Sequence, residues 1–229
     1  MPKNSYSMEN NNFQKISTSY KNKNIAEAYD KTRFSSLIGR SFNVLEKRCF
    51  TRLLRFLKKE KDIKNVLDIP CGTGRMTAVL VREGFEVMAA DISEEMLKVA
   101  QKKLSYAKNI VYTVRDIKNT GFANNSFDCV SCIRLFHHID SQDRIEILRE
   151  LGRISRHYII INLSYSSFWH RIRRKFKKLI GQGLSRITVT EKELAESLTK
   201  SALEEVTRRS MLPIISEDIF ITLRKRNDS

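Results

Sequence analysis

The stretch Val66-Leu67-Asp68-Ile69-Pro70-Cys71-Gly72-Thr73-Gly74 opens with a short apolar run, meets an acid, and turns through two glycines into the helical pattern Arg75 to Arg82. That succession reads as a strand, a tight loop and a helix N-terminus, the arrangement that holds the polar part of a nucleotide-like cofactor. Gly72 and Gly74 bring backbone close to a ligand, because a side chain at either position would fill the space. Asp68, at the carboxyl end of the strand, can accept hydrogen bonds from a ligand ammonium or from loop amides. Phe85 to Ala90 is almost continuously apolar and predicts the next parallel strand, buried on both faces. Asp91 follows it, seventeen positions past Gly74, where a carboxylate can take both hydroxyls of a ribose. A third strand, Ile110 to Arg115, runs into Asp116. A glycine turn alone is a weak signal, but three successive strands ending in Asp form a constellation.

In this order VLDIPCGTG, AADISEEML, RDI and FDCVSCIRLFHHI resemble the successive motifs of class I S-adenosylmethionine-dependent methyltransferases, over about residues 26–226. The resemblance implies an α/β fold: a Rossmann-like, doubly wound, seven-stranded sheet with a C-terminal antiparallel hairpin, plus N-terminal helices. It implies S-adenosyl-L-methionine as cofactor. By the same resemblance Gly72 and Gly74 with Asp68 hold the methionine moiety, Asp91 the ribose, and Asp116 with Ile117 the adenine amino group. Cys71 and Thr73 in the loop and Ile92 after Asp91 join the cofactor-binding set. One departure is Pro70, where the family usually has glycine. The turn is stiffer there and one backbone donor is absent.

The 229 residues suffice for one α/β domain with a full core. The polar start MPKNSYSMENNNF does not resemble a signal peptide, and no apolar run approaches the roughly 20 residues of a spanning helix. A cytoplasmic protein is expected, with peripheral contact at the inner membrane surface. The cysteines at 49, 71, 129 and 132 lack disulfide-framework spacing, which fits a reducing compartment. Cys129 and Cys132 lie three apart in a strand pattern and so point to opposite faces, which argues against a shared metal. No metal site is expected. The net charge of +16 is uneven: residues 1–64 carry +9, residues 165–186 carry +7, and the remainder cancels. An excess gathered in two flanks points to an anionic partner.

Along the chain, residues 1–24 read as a mobile tail, and residues 25–229 as one methyltransferase domain with a basic insertion at 165–186. In the segment Asn24 to Phe34, resemblance makes Tyr29 and Arg33 candidates for a lid or substrate contact; plain packing of Tyr29 onto the core is the equal alternative. Ser41 to Lys59 is an amphipathic helix, with Phe42, Leu45, Cys49, Leu53, Phe56 and Leu57 at helical spacing. Ser93 caps the helix after strand two. Strand four, Asp128 to Ile133, leads to Arg134, positioned to reach an acidic group on cofactor or substrate. His137 is a candidate base for an acceptor hydroxyl, while His138 reads as packing at the next helix start. Asp140 or Ser141 caps a helix over Asp143 to Ser155, and Tyr158 to Leu163 is strand five.

Phe168 to Ile180 places aromatics and aliphatics on one stripe and Arg or Lys on the rest. Three readings stay open: a helix docked on the core, a helix on an anionic membrane surface, or an RNA-contacting helix. Thr190 begins a capping box with Glu193, and residues 206–211 and 219–224 close the sheet as an antiparallel pair. The expected activity is methyl transfer to a lipid-like or small-molecule acceptor, with RNA less favoured as acceptor. A non-catalytic binding module of the same fold is the alternative from another class. Oligomeric state is left open.

Overall fold

The computed structural model of the protein describes residues 36–165, 188–211 and 218–226. Its centre is one eight-stranded sheet: β1 (Asn65–Asp68), β2 (Glu86–Asp91), β3 (Ile110–Val114), β4 (Phe127–Cys132), β5 (Ser155–Tyr165), β6 (Thr188–Val189), β7 (Leu203–Ser210) and β8 (Asp218–Lys225). The order is β3-β2-β1-β4-β5-β8-β7, with β6 paired to the end of β5. Strands β1 to β5 run parallel, and β8 turns antiparallel between β5 and β7. The doubly wound sheet with a terminal antiparallel pair is therefore present; the two-residue β6 makes eight strands where seven were expected.

Among the described residues the helices are α1 (Leu37–Glu60), α2 (Thr77–Arg82), α3 (Glu94–Lys103), α4 (Ser141–Ile154) and α5 (Glu191–Lys200). Helix α1 starts four residues before its first expected position because Ser36 caps it, its hydroxyl accepting from Gly39 N at 3.0 Å. Ser93 caps α3 and Thr190 opens α5 in a complete capping box. Of the two candidate caps of α4, Asp140 is the one used. Helix α4 ends at Ile154 and β5 begins at Ser155, so strand five is longer at both ends than its apolar run. None of the described helices is long and apolar enough to cross a membrane.

Two core layers sandwich the sheet. Ile147, Leu148 and Leu151 of α4 pack with Leu194 and Leu198 of α5 on one face. Phe50, Leu53, Leu54 and Leu57 of α1 and Val79 and Leu80 of α2 cover the other. Cys129 joins the α1 layer and Cys132 the α4 layer, so the two thiols do lie on opposite faces. Neighbouring β1 and β4 leave the sheet in opposite directions, to β2 and to β5, which makes their carboxyl ends the topological switch point.

Candidate active site

The loop after β1 threads between its neighbours: Ile69 N donates to Ser131 O and Cys71 N to Ala90 O, both at 2.8 Å. Pro70, which has no N–H to give, stands between the two residues that make those bonds. Gly72 and Gly74 take φ +54° and +76°, which side chains tolerate poorly. Their surroundings differ. A Cβ on Gly72 would meet nothing within 4 Å, so this backbone borders open space. A Cβ on Gly74 would stand 3.0 Å from Ala100 Cβ and 3.1 Å from Leu104 Cδ1. The expectation that Gly74 clears room for a ligand is corrected: it lets the turn pack on α3.

Asp91, 4% exposed, ties loop to strand. Its Oδ2 accepts from Gly72 N at 2.8 Å and its Oδ1 from Ser93 N at 2.9 Å. Burial raises its pKa against these backbone bonds. With three backbone N–H groups, of Gly72, Ile92 and Ser93, on its two oxygens, the carboxylate keeps acceptor capacity for a ligand hydroxyl. Asp68 is 1% exposed. Thr77 Oγ1 donates to its Oδ2 at 2.7 Å, while Oδ1 is buried without a hydrogen-bond partner. Burial pushes its carboxyl up to about 6.

Other loop positions resolve into distinct roles. Cys71 packs with Ala89 and Leu97. Burial carries its thiol well above the ordinary range, so it is no ready nucleophile. Thr73 is buried and Ile92 half-buried. Asp116 is corrected as a strand terminus: β3 stops at Val114, and Asp116 lies exposed in a turn where its Oδ1 accepts from Lys118 N at 2.9 Å. Asp116 suits this place because its side chain bonds its own turn backbone. Ile117 packs into the core with Leu67, Ile69 and Phe136.

An unexpected carboxylate joins the loop to α1. Glu46 is fully buried, and its Oε2 receives Arg75 Nη1 at 2.6 Å and Arg134 Nη2 at 2.8 Å. Asn162 Nδ2 reaches Oε1 at 3.4 Å, Asn162 Oδ1 accepts from Arg134 N at 2.5 Å, and Arg75 also donates to Asn43 Oδ1 at 2.8 Å. Burial works to raise the Glu46 pKa, but the two guanidiniums outweigh it and the net shift is downward. Arg134, at φ +68°, thus reaches an acid of the chain itself. The sequence held a sign of this: Glu46 sits four residues from both Phe42 and Phe50, an acid on the apolar stripe of its helix.

His137, 1% exposed, lies just beyond β4. Its Nδ1 is 3.1 Å from Ser164 Oγ, which donates to Asp218 Oδ1 at 2.9 Å. The hydroxyl proton being used on Asp218, Ser164 accepts from Nδ1–H, so in the neutral tautomer Nε2 is the unprotonated nitrogen. Nε2 stands 4.0 Å from Asp218 Oδ1, beyond hydrogen-bond length. Neither Ser164 nor Asp218 carried a sequence signal, since both lie where an apolar strand pattern meets a polar run, Ser164-Tyr165-Ser166-Ser167 and Ser216-Glu217-Asp218. His138 is half-buried, edge-on to His137 with ring centres 6.2 Å apart. Tyr29, Arg33 and nearly all of the basic insertion at 165–186 lie outside the described residues.

Residues 66–157 match the family model described as a methyltransferase domain. The demethylmenaquinone methyltransferase of Clavibacter sepedonicus is 31% identical over 107 residues, covering 47% of this chain and 41% of that protein. The ubiquinone/menaquinone biosynthesis C-methyltransferase of Hahella chejuensis is 36% identical over 98 residues, covering 40% and 39%. The chain thus spans about two fifths of the length of the curated relatives it matches. Among solved structures, the magnesium protoporphyrin IX methyltransferase of Synechocystis with bound SAH superposes with a TM-score of 0.72 at 16% identity, covering 88% of this chain and 98% of that one. That likeness concerns the fold.

Proposed function

We propose that the chain, a class I S-adenosylmethionine-dependent methyltransferase domain by its sequence over residues 66–157 and by its fold, transfers a methyl group from S-adenosylmethionine to a small-molecule or lipid-like acceptor. The observation that carries the reading is the Gly72–Asp91 hydrogen bond at the switch point, which fixes a bare loop and the strand-two acid side by side. The residues fit such a cofactor. Gly72 borders open space, Asp68 keeps a buried oxygen without a partner suited to an ammonium, and Asp91 retains lone pairs for ribose hydroxyls. Bound there, the cofactor would supply a methyl group already activated on a sulfonium. The protein's part is alignment. The Glu46 cluster holds Arg75, just after the glycine loop, and Arg134, two residues past β4, on one carboxylate, so two walls of the crevice keep a fixed separation. His137, with Nε2 as its acceptor nitrogen, can take a proton from an acceptor hydroxyl.

The acceptor class draws on what the relatives' names say, a demethylmenaquinone in one and a step of ubiquinone and menaquinone biosynthesis in another. An apolar acceptor of that kind would meet the enzyme at a membrane surface. Isothermal titration with S-adenosylmethionine tests the central claim. Saturable binding is expected, weakened by Asp91→Ala; no heat at millimolar cofactor with correctly folded protein sinks it.

A further inference from the structure

We infer that the outer face of α1 docks the protein on an anionic lipid surface, which gives the proposed acceptor its route to the site and rests on that reading only for the identity of the acceptor. Helix α1 turns Phe50, Leu53, Leu54 and Leu57 inward. Positions three or four apart then bring Leu37, Arg40, Val44, Arg48, Arg52, Arg55 and Lys59 onto the opposite side. All seven are exposed, along a helix about 36 Å long.

Two features separate this face from ordinary solvated surface. First, five cations share this stripe and only Arg55 meets a carboxylate, Glu83 at 2.9 Å, while Arg40, Arg48, Arg52 and Lys59 form no ion pair among the described residues. The one acid in the middle of α1, Glu46, is buried and engaged by arginines of the core side. Uncompensated positive charge therefore collects on one stripe. Second, Leu37 at 80% and Val44 at 47% exposure interrupt the cations near the helix start. Aliphatic side chains beside arginines gain by entering the head-group boundary of a bilayer. A phosphate backbone attracts the arginines equally but offers the aliphatics nothing, so the charge pattern together with Leu37 and Val44 favours lipid over RNA.

The orientation suits delivery. Asn43 and Glu46 meet Arg75 and Arg134 at the carboxyl ends of β1 and β4. The first two turns of α1, with Leu37 and Arg40, thus stand at the rim of the crevice. A membrane touching them would lie beside the site.

The test is flotation of the full chain with vesicles of phosphatidylcholine alone or mixed with phosphatidylglycerol, alongside binding to polyuridine RNA. Wild type is expected to float with the anionic vesicles only, and less at raised salt. Arg40→Glu, Arg48→Glu and Arg52→Glu together should weaken flotation at least a hundredfold, at roughly fivefold per cation. Leu37→Ser with Val44→Ser should weaken it with little change in its salt dependence. These residues are exposed, so thermal unfolding and cofactor binding should match wild type in both variants. Wild type that ignores anionic vesicles, or a triple variant that floats like wild type, overturns the inference. RNA binding with a steep salt slope and no flotation does so too. Cofactor titration on the same samples keeps the claims apart: flotation without cofactor binding sinks the methyltransferase reading alone.

Discussion

Glu46 shows at the scale of one residue how a charge is made tolerable inside an apolar layer. A buried carboxylate costs several kcal/mol in desolvation, and it is held here by two guanidiniums and two asparagine amides supplied directly or through its partners. Glu46→Gln would leave two positive groups crowded without their counter-charge. It should lower unfolding free energy by about 3–5 kcal/mol in urea titrations; a loss under about 1 kcal/mol would show the cluster to be hydrated instead. Asp68 poses the opposite case. Its folded carboxyl titrates at about 6 against an unfolded 3.8, because burial disfavours the charge. The folded state then holds the proton more tightly than the unfolded chain does. The associated stability is fully present below the unfolded value and is lost as pH rises through the folded one, up to about 3 kcal/mol. Unfolding measured across about pH 4 to 7 should show this decline in wild type and a flatter course in Asp68→Asn; parallel curves would refute it. Asp68 and Asp91 were legible because the chain marks strand ends with acids. Glu46 was visible only as a misfit on an apolar stripe, and its arginine partners lie 29 and 88 positions away, a pairing that no local pattern specifies.

At the scale of elements, the glycine turn separates two roles that read alike in sequence. Both glycines have positive φ, which costs an alanine about 1–2 kcal/mol. Only at Gly74 would the added carbon also press on Ala100 and Leu104 of the α3 segment, adding about 1–3 kcal/mol of overpacking. Gly74→Ala should therefore destabilise clearly more than Gly72→Ala in urea titration, while Gly72→Ala should act mainly on cofactor affinity. The reverse order of stabilities would contradict the packing role. Helix existence and caps were readable from Ser93, Thr190 and Asp140, since each cap acts within three residues. Boundaries set by tertiary pairing were not. Strand β7 begins at Leu203, three residues before its expected start, because Leu203 pairs with Lys225 on β8. Strand β3 ends before Arg115, since its register with β2 runs out at Asp91–Val114.

For the molecule as a whole, the strand order was implied by the succession of motifs, because parallel strands joined by helices admit few topologies. What the succession could not reveal is how the site draws on elements from across the sheet. The residues meeting at the switch point come from α1, the loop after β1, the end of β2, the loop after β4, and β5. A ligand seated there would bind only when those elements are assembled, so its binding energy adds to the stability of the single sheet rather than of one loop. At a hundred times its dissociation constant, S-adenosylhomocysteine should contribute about 2.7 kcal/mol. For a chain of this size that corresponds to a rise in Tm of roughly 5–10 °C, read equally by helical circular dichroism and by Tyr emission. Asp91→Ala should lose most of the rise, since it removes the hydroxyl acceptor and frees the Gly72 amide together. An unchanged Tm with saturating ligand would mean that the assembled crevice holds no adenosyl group.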